Sequence, residues 1–196
     1  MTATPDDILQ YWFGDLDAQG MSAEHYHKLW FASTAEQDAY CAQHFGGRVE
    51  QALAGELDDW SSNDATLIAL ILLLDQFTRT IYRGTPAAFA GDERARTLAG
   101  QAISSGRHQQ LPPIHRVFLY LPLEHSEQLA DQQQCVALFT ALGQETDLAQ
   151  IQGFTRFAVA HHDVIEKFGR FPHRNSILGR SSTPAELAHL EQHGGF

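Results

Sequence analysis

Eight consecutive apolar residues, Leu67-Ile68-Ala69-Leu70-Ile71-Leu72-Leu73-Leu74, run straight into Asp75-Gln76-Phe77-Thr78-Arg79-Thr80-Ile81-Tyr82-Arg83. A helix over Ala65–Arg83 therefore has no polar side in its first half and must be covered all round. Such an element is the centre of a core, and the rest of the chain has to wrap it. The apolar run is far short of the ~20 residues that span a bilayer, and Asp64 and Asp75 close it. In its second half Asp75, Arg79 and Arg83 recur at helical spacing and are expected to share one face. A charge on a central helix must be paired, because stranding it costs on the order of several kcal/mol.

Helix punctuation recurs on both sides of this element. Thr4-Pro5-Asp6-Asp7 has the cap, proline and acid that open a helix, and Ile8, Leu9, Trp12 and Phe13 then form an apolar face. Thr34 with Gln37 is a capping box, opening a helix whose weak point is Gly46-Gly47. Asn63 or the serines before it cap the central helix. Pro112-Pro113 begins a segment through Tyr120 that Pro122 interrupts. Ser126 caps a helix through Leu142, ended by Gly143; Phe154 to Phe168 is the next helix and stops at Gly169. Thr183-Pro184-Ala185-Glu186 opens a short last helix before Gly194-Gly195. No apolar–polar alternation bounded by turn residues competes, and no Asn-Gly or Asp-Gly hairpin occurs. The chain reads as all-α, with roughly eight to ten helices around the buried central one. With no linker-like stretch, residues 1–196 are expected to form a single all-helical domain.

Thirteen basic against 24 acidic residues give a net charge of −11, which disfavours nucleic acid as a partner. Two cysteines, Cys41 and Cys135, make no disulfide framework and suit a reducing compartment. The first residues, Met1-Thr2-Ala3-Thr4, lack the basic and apolar regions of a signal peptide. A soluble, cytoplasmic protein without membrane contact is expected.

Polar groups bunch in three segments. The first is Asp75, Arg79 and Arg83. The second is Leu121-Pro122-Leu123-Glu124-His125-Ser126-Glu127, where acids flank a histidine. The third is His161-His162 with Phe168-Gly169-Arg170-Phe171-Pro172-His173-Arg174-Asn175, where Gly169 ends a helix and Pro172 keeps the chain extended. Carboxylates, histidines and arginines converging in one cleft would make an acid–base or anion site. The competing reading is structural: paired ions, helix caps and arginines on helix C-terminal carbonyls.

Three runs carry a family resemblance: Leu74-Asp75-Gln76-Phe77-x-Arg79-x-Ile81-Tyr82-Arg83-Gly84-Thr85-Pro86, Phe118-Leu119-Tyr120-Leu121-Pro122-Leu123-Glu124-His125-Ser126-Glu127, and Phe168-Gly169-Arg170-Phe171-Pro172-His173-Arg174-Asn175-x-x-Leu178-Gly179-Arg180. The chain resembles the bacterial family called domain of unknown function 924, from Tyr11-Trp12-Phe13-Gly14 to Gly194-Gly195-Phe196. The resemblance implies a tetratricopeptide-like superhelix of antiparallel helical hairpins, and no activity. The 34-residue tetratricopeptide consensus is itself not readable here.

The leading functional expectation is a pocket for a small anionic molecule or peptide carboxylate, with acid–base catalysis open to it. His125, His173, Glu124 and Asp75 are the candidate catalytic groups. Arg79, Arg83, Arg170, Arg174, Asn175 and His161 are the candidate ligand-binding groups. The alternative is a non-catalytic solenoid that binds a peptide or protein in its groove. No cofactor is named by any motif, and no metal site is expected: His-Glu-x-x-His and paired Cys-x-x-Cys are missing. Glu24-x-x-His27 and Glu186-x-x-His189 have di-iron spacing, but Leu187 and Leu190 are expected to turn Glu186 and His189 outward. The remaining metal alternative is a mixed set of Glu124, His125, His161 and His173.

Overall fold

The structure, a computed structural model, describes residues 2–195; Met1 and Phe196, the ends of the expected domain, lie outside the described residues. Every regular element among the described residues is helical, and none is a strand. No described helix is long and apolar enough to cross a membrane. The chain falls into two compact units: Met1–Arg83 with Ala87–Pro122, and Gly84–Pro86 with Leu123–Phe196.

The first unit is built on the apolar run. Helix α4 (Asp64–Ile71), capped by the Asn63 side chain, passes without a break into a π-helical stretch, Leu72–Phe77, and then into α5 (Thr78–Ile81). All residues from Leu67 through Thr78 are buried, as the missing polar side requires. α1 (Pro5–Phe13) and α3 (Ala35–Ala54) pack on this rod and open with the expected capping boxes of Thr4 with Asp7 and Thr34 with Gln37. α3 runs through Gly46-Gly47 without interruption. Short α2 (Tyr26–Phe31) supplies Trp30, whose indole N–H donates to the Trp12 carbonyl at 2.8 Å. Trp12, Phe13, Trp30, Phe45, Phe77 and Phe118 interlock at ring separations of 4.9–6.3 Å, mostly tilted or edge-on, as aromatic quadrupoles favour.

The π stretch corrects the expectation of one regular α-helix to Arg83. A π turn inserts a residue and rotates the downstream side chains about the axis, and the rod ends at Ile81, so Arg83 lies beyond the helix instead of on its stripe. α6 (Asp92–Ser104) starts against this stretch: its N-cap, Gly91, abuts the Leu74 backbone.

α7 (Pro113–Glu124) is the second correction. Pro122 lies inside the helix instead of ending it. Proline removes one hydrogen bond, to the carbonyl four residues earlier. Here that loss falls in the last turn, and the helix closes two residues later, at Glu124.

In the second unit α8 (Leu129–Thr146) and α9 (Ala149–Phe168) form a hairpin joined by Asp147 and Leu148. α8 continues past Gly143, and Gln128 occupies its N-cap position. Ser126 accepts from the Gln128 N–H and donates to Asp131 at 2.6 Å. Gly169 ends α9 in the left-handed conformation (φ 70°), a turn that favours glycine. A loop containing the 3-10 turn Pro172–Arg174 then leads to α10 (Pro184–His193), opened by the Thr183 and Glu186 capping box.

Candidate functional site

The first polar segment is an internal ion network. Asp75 is fully buried, with Oδ1 3.0 Å from Arg79 Nη1, while Oδ2 accepts from the Gln76 amide. Arg79 donates to both oxygens of Asp92 at 2.8 and 2.9 Å and to the Asp75 carbonyl at 2.6 Å. Burial alone would lower the Arg79 pKa, but Asp75 and Asp92 outweigh it and the net direction is up. Arg83, mostly exposed, donates to Asp38 and to Ser33 Oγ. Both arginines thus hold carboxylates of the protein itself.

The second and third segments meet in the second unit. Glu124 is buried at the end of α7, and Gln132 of α8 donates to the carbonyls of Glu124 and Ser126 at 2.6 and 2.7 Å. From α9, His161 places Nδ1 2.8 Å from the Phe157 carbonyl and 3.3 Å from Glu124 Oε1. A carbonyl only accepts, so the Nδ1 proton is fixed there and Nε2 carries the lone pair. Burial pushes the His161 pKa down to about 3; the Phe157 carbonyl opposes, and His125, Arg174 and His173 push the same way. His161 is therefore neutral at ordinary pH.

Around it the rings of His125 and Phe171 lie 6.4 and 5.6 Å away, and His173 lies 5.6 Å beyond Phe171. Buried Arg174 stacks its guanidinium 4.5 Å over Phe171 and donates to the His125 carbonyl at 3.0 Å. Glu124, His125, His161, His173 and Arg174 thus form one cluster.

The loop that delivers His173 and Arg174 is clamped by residues absent from the candidate set. Glu127 accepts from the Phe171 backbone N–H at 2.8 Å and from both terminal nitrogens of Arg180 at 2.6 and 2.8 Å. Burial would raise the Glu127 pKa, but Arg180 and the Phe171 N–H bring it below the usual carboxylate value. Asn175 bridges the clamp, accepting from Arg180 and donating to Ser182, both at 3.0 Å. Arg170 is held by both oxygens of Glu186 at 2.6 and 2.8 Å. Glu186 is buried and Leu187 is exposed, the reverse of the expected orientation of the last helix: the charge pair, not the leucine stripe, orients α10. Glu127 and Arg180 are visible within the sequence runs, and Glu186 within its capping box; only their pairing is not.

Among the described residues, donor atoms gather to within 4.8 Å at His162, Asp163 and Glu166, on the outer part of α9. The mixed set Glu124, His125, His161 and His173 is not drawn together to that spacing. Two concavities lie outside the polar segments. One, of about 520 Å³, is lined by Thr140, Gly143, Gln144 and Asp147 of the α8 side and by Gln152, Thr155, Arg156 and Val159 of α9. The other, of about 290 Å³, lies among Tyr11, His25, Tyr26, Leu29, Gln37 and Tyr40.

The family model described as "Bacterial protein of unknown function (DUF924)" matches residues 8–194. A solved structure of a protein of unknown function, ATU0120 from Agrobacterium tumefaciens, is similar at 36% identity and a TM-score of 0.82, covering 96% of this chain and 97% of that one. No curated protein matches the chain.

Proposed function

We propose that this chain, which belongs to the bacterial family of unknown function DUF924, binds a small anion, a carboxylate or phosphate, at the histidine–arginine cluster of its second unit. The observation that carries this reading is the gathering of His125, His173 and buried Arg174 around buried His161 and Phe171. Such a concentration of cationic and protonatable groups is the electrostatic complement of an anion. Glu127 is taken by Arg180 and the Phe171 N–H, and Glu124, beside neutral His161, offsets one positive charge, so the attraction for an anion comes from Arg174 together with protonation of His125 and His173. His125 and His173, half-buried, are the groups an anion would reach first. Asp75, Arg79, Arg83 and Arg170 fall outside this reading, being engaged by the protein's own groups, and Asn175 enters only as a support of the loop.

The test is a titration with inorganic phosphate and with acetate, monitored by the imidazole C2–H resonances. Binding raises the apparent pKa of His125 and His173 together, and His173→Ala removes the effect while the fold persists. No movement of either resonance at about 50 mM ligand, an affinity weaker than roughly 2 kcal/mol, overturns the reading.

A second reading is favoured by the concavity between α8 and α9. Its lining mixes hydrogen-bonding side chains with Val159, an apolar side chain that is 40% exposed. A peptide laid along that groove would make this unit a non-catalytic interaction module. Val159→Asp would weaken such a partner's binding and leave the phosphate titration unchanged.

A further inference from the structure

The end of the chain turns back onto the cluster. α10 is moored by the pair of Arg170 with buried Glu186 and by the edge-on contact of His189 with Phe168, rings 5.1 Å apart. At its C-terminus Gly194 takes φ 72°, a conformation that favours glycine, and redirects the chain. The next residue lies directly on His173. A Cβ at Gly195 would stand 2.7 Å from His173 Cβ, 3.0 Å from Cγ and 3.6 Å from Nδ1. Real Cβ atoms do not approach so closely, so this backbone-to-imidazole contact exists only because residue 195 has no side chain. Two glycines in succession therefore do different work: the first turns the chain and the second lets it settle on the ring.

We infer that the Gly194-Gly195 segment is a cover over the His173 side of the cluster, which must lift before a ligand can use the Nδ1 edge of that histidine. The inference rests on the anion-site reading for its purpose, though not for its geometry. The Gly195 contact buries little apolar surface and lies just past the end of a helix, where local opening is easiest. The cover lies past the C-terminus of α10, whereas the Arg170–Glu186 pair holds the helix at its N-terminal end and the His189–Phe168 contact holds it near the middle, so lifting the glycines leaves both in place.

Chemical accessibility of His173 tests this without any ligand. Diethyl pyrocarbonate acylates neutral imidazole, and peptide mapping by mass spectrometry reads each histidine separately; exposed His44 is the internal standard. Two full-length-derived variants are compared with the parent: a chain ended after His193, and Gly195→Val, whose side chain cannot coexist with the His173 contact. The expected result is a several-fold faster modification of His173, relative to His44, in both variants. A His173 rate equal to the parent's in either variant overturns the cover. Because no ligand enters the measurement, faster modification combined with a silent phosphate titration would remove the anion-site reading and leave the cover standing.

Discussion

Gly91 lies so close to Leu74 that a Cβ on it would overlap the Leu74 carbonyl. The contact joins the N-cap of α6 to the π stretch of the buried rod, where the Leu74 carbonyl also accepts from Thr78 Oγ1 at 2.9 Å. Backbone lies against backbone there, and no flexible side chain can give way. Gly91→Ala should therefore act as an overpacking change and cost about 2 kcal/mol in denaturant unfolding. A stability equal to the parent's would show that the two backbones can separate freely.

Asp75→Ala removes a fully buried carboxylate from Arg79, the arginine paired to it within the rod. Arg79 keeps its two bonds to Asp92, which places the cost near the lower end of the range for a broken buried pair, about 3 kcal/mol. A change within about 0.5 kcal/mol, the scale of an ordinary surface substitution, would mean that Asp92 alone satisfies the guanidinium.

These two sites mark what the amino-acid order does and does not disclose. The caps at Thr4, Thr34, Asn63 and Thr183 are local chemistry, readable within four residues, and each is found in place. The all-round burial of Leu67–Leu74 is dictated by composition alone. The π insertion has no such local signature in the residues of the run itself, and the close approach of Gly91 to the Leu74 backbone is a tertiary contact that no cap or spacing announces. The same holds for the candidate site. Three polar segments stand out because charge sits among Phe and Leu, but a guanidinium accepts any carboxylate that tertiary structure brings near. Arg79 takes Asp92, Arg83 takes Asp38 and Arg170 takes Glu186, three pairings that no spacing rule encodes. Pro122 misleads for the opposite reason, since a proline in the final turn forfeits little.

Glu127→Gln should loosen the loop that carries His173 and Arg174. The substitution keeps the shape but halves the acceptors offered to Arg180 and the Phe171 N–H. Both partners are partly solvent-exposed, so the loss of global stability should be small, about 1 kcal/mol. The larger effect is local: amide exchange at Phe171, Arg174 and Asn175 should quicken while the α8–α9 hairpin keeps its protection. Unchanged exchange across the loop would assign its order to Arg170 and Glu186 instead.

Acid sensitivity should appear before the carboxylates titrate. Burial lowers His161 to about 3 and His115 to about 4, against an ordinary value of 6.5. Each histidine is neutral when folded and takes up a proton when unfolded, so the unfolded state binds more protons below pH 6.5. Stability then falls as pH falls, by up to about 1.4 kcal/mol per pH unit for each group. The stabilisation is complete above 6.5 and is lost progressively down to the folded values. Between pH 6.5 and 5 the pair should account for about 3 kcal/mol of lost stability. Glu127 and Glu186, whose pKa values are lowered from 4.5, add their own losses mainly below that window. Urea unfolding at several pH values reads the slope directly, and His161→Gln should reduce it by about half, whatever the variant's absolute stability. A variant with the parent's full slope would place the proton uptake elsewhere and show that His161 titrates alike in both states.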